Sequence, residues 1–157
     1  MDTSLYNILL HVHSVGRWVV LLLLLFAIIN SLIAGGRPYI KSDNRLGLIL
    51  TITADIMLLL GIALWYFGPH GYKMIEAAGG MSSAMKDPTT RFFGIEHLVG
   101  MLIAIILIHI GKAQGKKRIS DASKHRRTFI FYFLALLIIL ASVPWPFREI
   151  GAASHWY

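Results

Sequence analysis

The sequence predicts an all-α membrane protein: four transmembrane helices in one antiparallel bundle, with both termini outside. Three observations predict it. Apolar residues make up 56% of the 157, more than a soluble domain of this size can bury. They gather in four runs, each close to the ~20 residues that cross hydrocarbon as a helix. The basic residues fall almost entirely between those runs, unequally on the two sides.

The runs cover residues 9–34, 46–67, 92–111 and 128–147, and leave no room for a second domain within 1–157. Helices are required because the backbone must satisfy its own hydrogen bonds in lipid. The start, Met1-Asp2-Thr3-Ser4, lacks a positive n-region, and the run after it is too long for a signal peptide. The first segment is therefore expected to be retained. Pro144 and Pro146 are expected to break the fourth helix as it leaves the membrane. Residues 68–90 form the longest connection. Within it, 72–78 reads as a short interfacial helix or as a lid over the bundle mouth.

Direction follows from the loops. One side holds Arg37, Lys41, Arg45, Lys112, Lys116, Lys117, Arg118, Lys124, Arg126 and Arg127. The other holds Lys73, Lys86, Arg91 and Arg148. Ten cations against four place the first side inward. The expected location is a bacterial inner membrane, with both termini and the 68–90 loop periplasmic. Trp65, Tyr66, Trp145 and Trp156 fit an aromatic belt at the outer interface. The net charge of +7 then reports topology and contact with anionic lipid headgroups, and nucleic acid is not an expected partner. With Cys 0, disulfides, thiolate iron–sulfur ligation and covalent haem attachment are excluded.

Within this frame, two histidines stand out. His13 and His97 lie near the outer starts of the first and third runs, which cross in the same direction. Their depths agree when measured from the outer side. From the inner side the mismatch is about 3 Å if the first helix ends at Asn30, and about 10 Å if it ends at Gly35. Gly16 follows His13 by three residues, and Gly94 and Gly100 flank His97 at the same spacing, which shares a helix face. Glycines beside a ligating histidine leave room for a flat macrocycle, and small residues serve close helix packing equally well. Neutral imidazole is a good haem ligand. Two of them saturate the iron, which suits electron transfer. The expectation is one haem b, with His13 and His97 as its metal ligands and Gly16, Arg17, Gly94 and Gly100 around it.

Arg17 lies one turn inward of His13. It needs an anion, which haem propionates, Glu96 or Asp55 can supply. Glu96 points about 100° away from His97 and can orient another histidine such as His11, or accept a proton. Asp55, inside the second run, is expected to be protonated, paired or facing a polar cavity, with a bond to Thr51 or Thr53 as the structural reading. His109 and His125 are candidates for a second site. However, His109 stands about 120° around the helix from His97, which disfavours a second haem. His70 with Met74, Met81 and Met85 has the soft ligands copper favours, and lid packing is the preferred reading there. His155 has a weaker claim.

Several segments resemble a known family. His13-Ser14-Val15-Gly16-Arg17-Trp18, Arg91-Phe92-Phe93-Gly94-Ile95-Glu96-His97, Lys124-His125-Arg126 and Val143-Pro144-Trp145-Pro146-Phe147 are similar to motifs of small four-helix membrane proteins of Bacteroidetes-type bacteria, commonly labelled cytochrome B or cytochrome b-like. The resemblance covers nearly the whole chain and implies haem b. The two-haem histidine pattern of other four-helix b-type cytochromes is absent here. The function expected is electron transfer, quinol-linked or within a respiratory complex, with quinone, a periplasmic redox protein or a larger membrane complex as partners. The rivals are a cofactor-free accessory subunit and a copper- or proton-handling transporter.

Overall fold

The computed structural model describes residues 2–152, the side chain of residue 152 excepted. Trp156 and His155 lie outside the described residues. The chain is helical, with no strand among the described residues. Four of its helices are long and apolar enough to cross a membrane.

Helix α1 runs Thr3–Ile33. At 31 residues it is about 46 Å long, well beyond a hydrocarbon core of about 30 Å. It therefore starts before residue 9, where the apolar run begins. Beyond its last turn Gly35 takes φ 56, a left-handed conformation that glycine adopts without a Cβ penalty. The chain turns there into α2, Lys41–Phe67. This helix also begins before its apolar run, because its first turn is fixed by Asp43. That carboxylate accepts the Ile40 N–H at 2.9 Å, the Asn30 amide of α1 at 2.8 Å, and a two-pronged Arg37 guanidinium at 2.8 and 2.6 Å. Asp43 is 6% exposed, and this set of donors is what a buried carboxylate needs. Arg37, read from the sequence as a topology cation, thus also joins α1 to α2.

Three short helices follow: α3 Tyr72–Ala77, α4 Met81–Ala84 and α5 Pro88–Arg91. Asp87 caps α5 by accepting the Thr90 N–H at 2.8 Å, with Pro88 at the first helical position, where its missing N–H costs nothing. The chain then passes through one wide π turn, Phe92–Glu96, directly into α6, His97–Ala113. A 3₁₀ turn, Gln114–Lys116, closes α6.

Helix α7 runs Asp121–Ser142, capped at its start by Ser120. It ends at Ser142 rather than Phe147. The cause is Pro144: its ring disfavours helical backbone at the preceding residue, and Val143 is extended at φ -84, ψ 135. Arg148 then folds back and donates to the carbonyls of Ala141 at 2.7 Å and Val143 at 3.2 Å, satisfying acceptors the helix end leaves open. A last turn, α8, covers Glu149–Ala152.

Helix α1 packs against α2 and α7, and α6 packs against the same two. The four long helices thus form a ring with α1 and α6 on opposite corners. Leu24, Leu50, Ala54, Ala104, Ile108, Ala135 and Ile139 fill its centre. Leu22, Phe26, Leu59 and Ile106 are exposed on its outside, the inverse of a soluble bundle and the pattern a lipid-facing surface requires.

Candidate functional site

The ring arrangement decides which residues can meet. His13 on α1 is ten residues past Thr3, and His97 on α6 is nine past Pro88. The difference of one residue is about 1.5 Å of rise. The two imidazoles come from opposite corners of the ring. His13 is within electrostatic range of His97 and of Arg17, and His97 is within range of Arg17.

The two rings are held differently. The Nδ1–H of His97 donates to the backbone carbonyl of Ser142, at the last turn of α7, over 2.7 Å. The residue role is a donor because a carbonyl can only accept. This leaves Nε2 as the lone-pair nitrogen. Histidine ligands to metals are typically oriented by such a bond from the second ring nitrogen. Phe92 flanks the ring at 6.2 Å between centroids. On the other corner, Nδ1 of His13 is buried with no hydrogen-bond partner among the described residues. Its Cε1 lies 3.2 Å from the place a Cβ on Gly61 would take, so α2 makes room for this ring.

The three glycines expected around the site have other neighbours. A Cβ on Gly16 would strike Met57, one on Gly94 would meet Ile75 at 3.0 Å, and one on Gly100 would strike Ser142. Each is a point where a neighbouring helix enters closely, the packing use of small residues. Gly61 alone among the described glycines has a candidate ligand ring as its neighbour. Sequence reasoning passed over it. The available clue was a helix-weakening glycine inside the apolar run Leu58-Leu59-Leu60-Gly61-Ile62.

The mouth above the site is built from the long connection. Ile75 of α3 presses on Gly94, and the indole N–H of Trp65 donates to the Gly94 carbonyl at 2.9 Å. Tyr66 stacks on Tyr72 at 5.6 Å. The Tyr72–Ala77 helix therefore covers the start of the third span, and Trp65 reaches into the fold rather than only lying in an interfacial belt.

The remaining polar residues have definite places. Glu96 pairs with Arg91 at 2.7 Å and does not orient His11, whose Nδ1 is 2.8 Å from the Asn7 carbonyl. Asp55 is 2.9 Å from Nε2 of His109, while Thr51 and Thr53 donate to their own helix at 2.7 and 2.8 Å. Both carboxylates weighed as partners of Arg17 are thus engaged elsewhere. His70 lies against the ring of Phe93 and near Tyr6, and Met81 and Met85 are exposed. Among the described residues no three histidine, aspartate or glutamate side chains form a metal cluster. A site at His13 and His97 is a two-ligand arrangement, as axial haem ligation is.

The donor set fits haem b on two observations: an imidazole fixed through its Nδ1–H, and a second imidazole within its electrostatic range that has an orphaned buried nitrogen and a glycine beside its ring. No family model, no curated protein and no solved structure matches the chain.

Proposed function

We propose that the chain is a membrane b-type cytochrome with one haem b between His13 and His97, related to the small four-helix cytochrome b-like proteins its motifs resemble. The observation that carries the reading is the Nδ1–H bond from His97 to Ser142, because a bond from the second ring nitrogen is how ligating histidines are commonly held, and it leaves Nε2 with its lone pair for a metal. Bound there, the haem supplies a one-electron iron couple with both axial positions filled. Arg17 contributes a fixed positive charge next to both imidazoles, suited to propionates and to stabilising the reduced, more negative state. Ile75, Trp65 and the α3 turn shield this end from water.

The same reading takes the ring as an antiparallel bundle in a bacterial inner membrane. Both termini and the long connection are then outside, since the excess of cations lies at the other end. The haem is near the outer face, so electrons pass between quinol or a membrane complex and an outer redox partner. One haem at one face does not carry electrons across the bilayer.

An optical spectrum of the full chain, purified in mild detergent from cells supplied with haem, tests this. The expected result is a reducible low-spin b-type α band, lost in both His13→Ala and His97→Ala. No α band in the unaltered protein refutes the proposal, and bands that persist in both variants refute the ligands. One observation favours a second reading, a cofactor-free accessory subunit: Met57, Ile75 and Ser142 occupy the gaps at the three glycines. Under that reading the protein is colourless and co-purifies with larger subunits.

A further inference from the structure

At the opposite end of the ring, where the basic loops lie, the last turns of α1 face the first turns of α7 across a groove of about 330 Å³. Ser31, Leu32, His125, Arg126, Phe129 and Ile130 line it. The lining divides in two. Ser31, His125 and Arg126 offer a hydroxyl, an imidazole and a guanidinium. Leu32, Phe129 and Ile130 offer apolar surface, with Leu32 and Ile130 opening to the outside of the ring.

His125 is the telling residue. It is 2% exposed, and both its ring nitrogens are buried without a hydrogen-bond partner among the described residues. Tyr39 lies beside the ring at 4.9 Å in a tilted contact. A neutral imidazole carries one N–H and a protonated one carries two, so the ring always presents a donor that needs an acceptor. The surroundings specify what kind. Arg126 is exposed at the groove, and the helix N-terminus of α7 adds partial positive charge. The nearest carboxylate, Asp121, is occupied by Lys124 at 2.8 Å. An anionic acceptor fits, and the apolar floor suits a hydrocarbon chain attached to it.

We propose that this groove is a specific binding site for an anionic phospholipid, its phosphate held by Arg126 and His125 and an acyl chain lying along Leu32, Phe129 and Ile130. The site is independent of the His13–His97 pair and does not rest on haem being bound. It differs from diffuse attraction to the basic loops, because one cation, Arg126, lines the same groove as the buried, unpartnered imidazole of His125.

Native mass spectrometry of the full chain in neutral detergent, titrated with phosphatidylglycerol, phosphatidylcholine or inorganic phosphate, tests it. One phosphatidylglycerol is expected to bind in preference to phosphatidylcholine. Arg126→Gln is expected to weaken it about fivefold, the effect of one cation near a charged lipid. Arg127→Gln, an exposed neighbour, leaves it unchanged. His125→Phe weakens it further, and since that variant alters a buried side chain, Ile130→Gln tests the acyl surface from an exposed position. Equal binding of the two lipids overturns the proposal. So does equal loss in the Arg126 and Arg127 variants, which marks a diffuse basic surface. Displacement of the lipid by inorganic phosphate alone, or by a quinone analogue alone, overturns it in favour of those ligands.

Discussion

The Nδ1–H of His97 reaches the Ser142 carbonyl across 45 residues of sequence at 2.7 Å. The bond joins α6 to the last turn of α7, one residue before the chain turns extended for Pro144. It gives His97 a structural task beside any ligand role, while His13, with its orphaned Nδ1, has no comparable bond among the described residues. The two histidines are therefore separable in protein that lacks haem.

In such protein, His97→Leu is expected to cost about 1–2 kcal/mol, since it removes a buried donor and leaves the carbonyl behind. His13→Leu is expected to be neutral or stabilising, because an unsatisfied nitrogen is replaced by methyl groups. Thermal midpoints in one detergent check this. Equal losses in both variants contradict the asymmetry.

Gly61→Ala places a methyl 3.2 Å from Cε1 of His13, tighter than ordinary contact. The ring must move by a few tenths of an ångström. With haem ligated, the expected effect is a shifted low-spin signal in electron paramagnetic resonance with little change in thermal midpoint. Gly16→Ala meets the flexible Met57 side chain instead and should leave that signal in place. An unaltered signal in Gly61→Ala contradicts the assignment of His13 as a ligand.

How much of this was legible in the sequence depended on how local the cause was. The four spans follow from composition, and the helix ends differ where one residue governs. Val143 is extended because proline follows it, the break the Pro144 dipeptide announces, while the apolar run itself continued to Phe147 and set the end of the span too late. The α2 start was hidden because Arg37 read as a topology cation and nothing in the local pattern singled out Asp43. Their bidentate pair, with Asn30 as a third party, is visible only once α1 and α2 are adjacent. His13 and His97 stood out as candidates because polar residues in apolar runs are conspicuous. Their supports, Gly61 and the Ser142 carbonyl, come from other helices and carry no signature at fixed sequence spacing.

The glycines that do pack helices give a stability prediction. A Cβ on Gly111 would lie 2.5 and 2.6 Å from the ring of Tyr132, which is 2% exposed and has nowhere to turn. Gly111→Ala is expected to destabilise by about 1–3 kcal/mol, as overpacking of a tight core does. Gly36→Ala, where a Cβ would meet nothing within 4 Å, serves as the control. Similar melting of both variants would show that α6 and α7 approach less closely.

The cap of α5 responds to acid. Thr90, through its hydroxyl and its N–H, holds the Asp87 carboxyl below its ordinary value of 3.8. A depressed folded-state value means the contribution is complete above 3.8 and is lost as pH falls through the lower, folded-state value. Protection of the Thr90 amide against hydrogen exchange, corrected for intrinsic rate, should drop in that acid window. In Asp87→Asn this change should be absent, and its persistence would assign the transition to another group.

Asp55 and His109 present a different electrostatic case. They meet at 2.9 Å on the outside of the ring, with side chains 44% and 49% exposed, about midway along α2. If that surface faces hydrocarbon, each is costly alone and tolerable as a pair. Asp55→Leu and His109→Leu should each destabilise, and the double variant should recover much of the loss. The coupling expected is about 0.6–1.7 kcal/mol, the range for polar contacts between transmembrane helices. A thermal-denaturation double-mutant cycle in detergent measures it. Additive losses would mean that the two side chains hold separate partners, and the pair would then be no source of contact between α2 and α6.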